Sequence, residues 1–189
     1  MKKLITIIGI SILIITLNAC KKTEKERDEL LSIENAVKVD KDWETLDKSE
    51  YLIQYPKKWT VDESGTGGTV FMLTSPLDSD TDEVAQNVNT VIENLPDENI
   101  DLDAYAKAAI NQIKTVYPNI IKKKKIKSDN GSYYKIIFSG KMEGTNLKLE
   151  QHYHIKNKKA YIITFTSSVS DFDKDKVVGE KILNTFKLK

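Results

Sequence analysis

Tyr51, Ile53 and Tyr55 alternate with Leu52 and Gln54, the first clear pattern in the 189-residue chain. A period of two puts successive side chains on opposite faces, so 51–55 is predicted as a strand. Pro56 stops it, because proline has no N–H for the ladder. The same alternation predicts strands over 69–75 (Val70, Met72 and Thr74 against Phe71 and Leu73) and 85–93 (Val88, Thr90 and Ile92 against Asn87, Asn89 and Val91). The period then changes. Leu102, Ala106, Ala109, Ile110, Ile113, Val116 and Tyr117 recur at three and four, which predicts a helix over 102–116 with one apolar stripe, capped by Asp101 or Asp103.

After Pro118 the period of two returns. Strands are predicted over 119–127, 132–139, 147–156 and 160–167, the last with Tyr161, Ile163 and Phe165 on one face. Asp129-Asn130-Gly131 marks a hairpin, since Asn-Gly tolerates the positive φ of a primed turn. Gly140 to Gly144 and Asn157-Lys158-Lys159 mark two more turns. Asp171 or Asp173 begins a final helix to about 184, with Val178, Ile182 and Phe186 on its packing side. Three strands, a helix, four strands and a helix predict an α+β fold: one mostly antiparallel sheet with helices against it.

The N-terminus follows a different logic. Lys2 and Lys3 precede an apolar run over 4–17, the length of a signal-peptide h-region and short for a transmembrane helix. Leu17-Asn18-Ala19-Cys20 resembles the lipobox of bacterial lipoproteins, with Asn18 departing from the small residue preferred there. The resemblance implies cleavage after Ala19 and lipidation of Cys20. Several acyl chains anchor stably where one does not. The expected organisation is a signal peptide over 1–19, a lipidated N-terminus and charged tether over 20–42 with a possible short helix over 27–37, and a globular domain over 43–189. Lys21 is not the Asp associated with inner-membrane retention, which favours the outer membrane by analogy. A plain secretory signal or an uncleaved membrane stub is the alternative.

Cys20 is the only cysteine. A lipidated chain therefore has no free thiol, and thiol catalysis, thiolate metal sites and internal disulfides are excluded. The 29 basic and 28 acidic residues nearly cancel, and removing Lys2 and Lys3 leaves 27 against 28. No nucleic-acid partner is expected. The balance hides a division: between Trp59 and Lys107 there are 11 acids and no base, whereas Lys122 to Lys159 holds 11 lysines and three acids. Such a division orients a domain on a membrane or charged partner, unless the two segments mingle across one sheet.

Tyr51-Leu52-Ile53-Gln54-Tyr55-Pro56-Lys57-Lys58-Trp59 resembles the opening aromatic-x-Ile-x-Tyr-Pro-x-x-Trp of PsbP-like and DcrB-like domains. Asn87-Val88-Asn89-Thr90-Val91-Ile92-Glu93 is similar to their Asn-rich third strand. Tyr161-Ile162-Ile163-Thr164-Phe165 and Ile182-Leu183-Asn184-Thr185-Phe186 resemble their last strand and closing motif. The resemblance covers about 50–188. It implies an α/β/α sandwich with a central antiparallel sheet and a non-enzymatic role as an accessory factor on membrane complexes. It transfers no catalytic residue. The expected partners are the membrane, through the lipid, and an envelope protein complex. No cofactor beyond the covalent lipid is expected.

Three groups invite chemistry. Glu150, His152 and His154 share one face of a predicted strand and include both histidines. Two imidazoles and a carboxylate suit Zn²⁺, although strand positions two apart lie about 6.5–7 Å from each other, so a neighbouring strand would have to help. The alternative is a solvated strand face; the metal set would make the chain a small-ligand or metal carrier. Asp78, Asp80 and Asp82 begin like a calcium loop, but Glu83 stands where the turn needs Gly and Asn89 where the bidentate Glu belongs, which leaves a solvated acidic loop. Gly65-Thr66-Gly67-Gly68-Thr69 precedes a strand, not the helix N-terminus a phosphate cradle uses. No Gly-x-Ser-x-Gly occurs, so no hydrolase is expected.

Overall fold

The computed structural model describes residues 41–77, 84–97, 99–117, 119–128, 131–142 and 144–189. Seven strands form one antiparallel sheet. They are β3 (Thr60–Asp62), β4 (Phe71–Thr74), β5 (Asn87–Asn94), β6 (Asn119–Ser128), β7 (Gly131–Met142), β8 (Thr145–Lys156) and β9 (Lys159–Ser168), in the spatial order β3-β4-β5-β9-β8-β7-β6. A second, three-stranded sheet has the order β1-β2-β10, from β1 (Trp43–Asp47), β2 (Tyr51–Pro56) and β10 (Lys187–Leu188). Helix α1 (Leu102–Val116) lies on one face of the large sheet, and α2 (Phe172–Thr185) with the small sheet covers the other.

The expected α/β/α sandwich is therefore present, and its sheet is antiparallel at every pairing. Three strands escaped the reading of the sequence; β10, of two residues, is too short to show a period. In β1 only Trp43 and Leu46 turn inward, and β3 is exposed at all three positions, so neither has a complete apolar period.

Each face of the sheet has its own core. On the α1 side Ala106 and Ile110 meet Ile136, Phe138, Leu149, Tyr153 and Ile162. On the other side Tyr51, Ile53, Trp59, Phe71, Phe165 and Phe186 pack together. Strand β9 is buried on both faces, which is why Ala160 to Ile163 run apolar without alternation. Asp101 caps α1, its Oδ1 accepting from the Ala104 N–H at 2.7 Å. Asp171 makes no such contact with α2; its carboxylate accepts from Ser168 and Ser170 instead.

The residues behind the family resemblance have structural tasks. Tyr55 and Trp59 are buried, and the Trp59 N–H donates to Pro56 O, turning β2 toward β3. Ile182, Leu183 and Phe186 are core residues. Thr185 Oγ1 accepts from the Gln54 N–H at 2.8 Å and so fastens the end of α2 to β2. Helix α2 approaches β9 closely only because Gly179 has no side chain: a Cβ there would lie 2.5 Å from the Phe165 ring. In the β8–β9 turn, Asn157 and Lys158 both take positive φ (52° and 58°), as a primed two-residue hairpin requires.

Candidate functional site

Strand β8 alternates cleanly. Leu147, Leu149, Tyr153 and Ile155 pack toward α1, which leaves Glu150, His152 and His154 on the opposite face, as the period of two predicts. That face is not solvated. It lies under α2 and the small sheet, with Glu150 fully buried and His152 2% exposed. The covering residues come from distant sequence: Tyr133 and Lys135 of β7, Glu180 of α2, and Phe186.

The resulting contacts form one chain. Lys135 Nζ lies 2.7 Å from Glu150 Oε1 and 2.7 Å from Glu180 Oε1. His152 Nε2 lies 2.8 Å from the same Glu150 oxygen. The Tyr133 ring covers both imidazoles, with centroids 4.5 Å from His152 and 5.1 Å from His154, and the far side of His154 meets Phe186 at 5.3 Å. Within this group two buried atoms have no hydrogen-bond partner among the described residues, Glu150 Oε2 and His154 Nε2.

The electrostatics follow from burial and pairing. Burial works to raise the Glu150 carboxyl, but the His152 hydrogen bond and the Lys135 ammonium outweigh it and hold it below its usual range. Burial pushes His152 down despite Glu150. His154, with no carboxylate beside it, is pushed down to about 3, chiefly by burial. Near neutrality Glu150 is therefore ionised and both imidazoles are neutral, with His152 donating from Nε2 to the carboxylate.

This arrangement bears on the metal expectation for Glu150, His152 and His154. Among the described residues no three His, Cys, Asp or Glu side chains are grouped to hold a metal ion. The Lys135 ammonium already supplies the cation at the Glu150 carboxylate, and His154 points its ring into Tyr133 and Phe186. Lys135 was the residue missed in the sequence. The signal for it was the β7–β8 register, which sets Lys135 opposite His152 and Ile137 opposite Glu150.

A second feature lies on the α1 side, where the helix leaves part of the sheet open. Asn87, Asn89, Gln151, Thr164 and Thr166 line a groove of about 500 Å³, with Met72 and Met142 on its walls. Gln151 bridges its neighbours, donating from Nε2 to Thr164 Oγ1 at 3.1 Å and accepting from the Tyr153 hydroxyl at 2.6 Å. Val91, Leu149 and Ile162 complete the lining, and among the described residues Glu93 is its one ionisable group, so the groove suits apolar contact and hydrogen bonding more than acid–base work.

The divided charge partly mingles. Asp103 of the acidic segment pairs with Lys125 of the basic one. Lys122 and Lys124 register with Ile137 and Lys135, and Lys123 and Lys125 with Ile136 and Tyr134, so the run is split between the two faces. Gly65, Gly67 and Gly68 take positive φ in a tight turn that leads into a strand. Cys20, the predicted lipidation site, lies outside the described residues, as do the signal segment, the expected helix over 27–37 and the acidic loop 78–83. Among the described residues no helix is long and apolar enough to cross a membrane.

No family model matches the chain, and no curated protein matches it. Solved structures do. The cyanobacterial PsbP of Synechocystis superposes with a TM-score of 0.58 at 13% identity, over 81% of this chain and 95% of that one. LpqN of Mycobacterium tuberculosis, described as involved in cell envelope biogenesis, gives 0.55 at 8% identity over 78% and 90%. PA94 of Pseudomonas aeruginosa, a protein of unknown function described as a possible regulator, gives 0.52 at 13% identity over 76% and 94%. At these identities the likeness is one of architecture, and by architecture the chain is a PsbP-like α+β sandwich.

Proposed function

We propose that this protein is a non-enzymatic accessory or binding subunit of the bacterial cell envelope, anchored through lipid on Cys20 and docking on a membrane protein complex. One observation carries the reading. The buried acid–base group, Glu150 with His152 and Lys135, is paired within the fold, while the open face is a groove in which Asn87, Asn89, Gln151, Thr164 and Thr166 stand among Val91, Leu149, Ile162 and two methionines. A buried, paired triad has no route to a substrate; an open face of apolar and hydrogen-bonding groups together suits a partner's backbone and side chains. The fold shared with an envelope-biogenesis protein supports the setting. The lipobox supports the anchor and, by analogy, the outer membrane.

The test is crosslinking of the intact lipoprotein in native membranes, with a photo-crosslinking residue at Asn89 in the groove or at Ser132 away from it, and with Cys20→Ala as control. A stoichiometric envelope complex captured from Asn89, absent from Ser132 and lost in the control, supports the reading. Turnover of an envelope substrate without any captured partner would end it.

The alternative is a small-ligand or metal carrier, favoured by the unpartnered Glu150 Oε2 and His154 Nε2. Calorimetric titration with Zn²⁺ decides it: absence of heat, and unchanged behaviour in His152→Ala with His154→Ala, removes it.

A further inference from the structure

The strand pairings place one end of the molecule without ambiguity. Thr60 pairs with Thr74, Thr74 with Asn87, Asn87 with Thr166, Leu147 with Ser168 and with Gly140, and Ser139 with Asn119. These residues form one edge line across the large sheet. The N-terminal segment leaves the domain at the same end. Trp43 pairs with Pro56, and Asp42 O accepts from the Lys57 N–H at 2.8 Å, three residues before Thr60 begins β3. Everything upstream, Cys20 included, is therefore attached here.

Most of the exposed large apolar side chains gather at this end. Six are exposed among the described residues, and four of them sit here: Leu77, Val116, Ile121 and Val169. Leu77 follows β4, Val116 ends α1, and the Val169 N–H donates to Asn146 O just beyond β9. Ile121 has a specific cause. The β6–β7 register shifts between Ile120 and Lys122, and the bulge leaves Ile121 unpaired and 56% exposed. Single exposed apolar residues need no explanation; four along one end, beside the chain's exit, do. From β4 to β6 the line crosses five strand spacings, about 24 Å.

We propose that this end is a membrane-facing surface, with Leu77, Val116, Ile121 and Val169 entering the headgroup layer of the bilayer that holds the Cys20 lipid. The inference rests on the lipid-anchor reading above and adds an orientation to it. The segment from Cys20 to Lys41 spans at most about 75 Å when fully extended, so the anchor alone does not fix how the domain stands. Apolar tips do, because interfacial binding grows with the apolar area buried. Attraction to anionic lipid is not the cause: the segment that departs at Leu77 and returns at Val84 carries Asp78, Asp80, Asp82 and Glu83. Neutral lipid therefore suffices. In this orientation the groove lined by Asn87, Asn89 and Gln151 runs up from the membrane and stays open to a partner in the same bilayer.

The experiment uses the intact lipoprotein in phosphatidylcholine vesicles. With Cys20 acylated, an introduced cysteine is the only labelled thiol. An environment-sensitive fluorophore is placed in turn at Ile121→Cys, Val169→Cys, Val177→Cys and Ser132→Cys. Val177 is an equally apolar exposed control on α2, 69% exposed, and Ser132 lies at the far end of β7. The expected result is a blue shift, with quenching by brominated lipid, at 121 and 169 and at neither control. Ile121→Glu combined with Val169→Glu, both at exposed positions, is expected to abolish the same signal from a label at Leu77→Cys. Equal aqueous emission at all four sites, in protein that still floats with the vesicles, overturns the orientation and leaves the anchor standing. Failure to float, with no acylated Cys20 by mass spectrometry, overturns the anchor and the orientation with it.

Discussion

His154→Phe gives a direct test of how the buried polar face is held. In the folded protein His154 titrates at about 3, against 6.5 for an unperturbed imidazole. The unfolded chain therefore binds a proton through the window from 6.5 down to about 3 while the folded chain does not. Stability is fully present above 6.5 and falls as pH drops through that window. Between pH 8 and pH 5 the His154 contribution works out at about 2 kcal/mol. Solvent at the half-buried edge of the residue trims this figure. His152, also depressed by burial, adds a loss of the same sign. Glu150 is depressed from 4.5, so its loss begins only below that value. Phenylalanine keeps the ring contacts with Tyr133 and Phe186 and removes the unpartnered Nε2. The variant is expected to be at least as stable as wild type at pH 8 and to lose about 2 kcal/mol less on going to pH 5. Urea denaturation at the two pH values measures both numbers. An identical pH 8 to pH 5 loss in wild type and His154→Phe would refute the reasoning, because it would mean that His154 ionises freely in the fold.

Lys135→Met strands the Glu150 carboxylate inside the sheet; a loss of about 3–5 kcal/mol is expected, with partial recovery when Glu150→Gln is added, read by the same denaturation midpoints. Gly179→Ala drives a methyl into the Phe165 ring and is expected to cost about 1–3 kcal/mol, with α2 losing hydrogen-exchange protection first. Thr185→Val removes the acceptor of the Gln54 N–H and is expected to cost about 1–3 kcal/mol; unchanged exchange of the Gln54 amide would contradict that role.

What the sequence revealed and what it hid have physical reasons. Helix α1 was readable over its whole length because one stripe faces a core and Asp101 caps it. Strand β9 was readable because both its faces are covered. The edge strands β1 and β3 were not, since an edge that faces water keeps no apolar period. Glu150, His152 and His154 were legible as one face of a strand, but the burial of that face was not. Polarity alone does not report burial: Lys135 supplies a counter-charge from the neighbouring strand, and Phe186 supplies a lid from 32 residues beyond His154. The groove was invisible because Asn87, Asn89, Gln151 and Thr164 come from three strands whose neighbours are fixed only by topology.

The buried network also explains why a costly arrangement persists in a domain with an ample core. Strands β7 and β8 are each 12 residues long and pair along nine positions, so a slip of one residue is their main alternative. A slip inverts every side chain of β8. Glu150, His152 and His154 would move under the apolar stripe of α1, and Leu149 and Tyr153 would leave it. Lys135 would keep only Glu180, and the Glu150 charge would sit unpaired in apolar surroundings, a penalty of several kcal/mol. In the native register the Glu150–Lys135 pair and the His152 hydrogen bond form together or not at all. The acid–base groups of this chain thus have a task in holding register, which leaves the groove beside Glu93 and the apolar end at the chain's exit as the surfaces we propose for a partner and for the membrane.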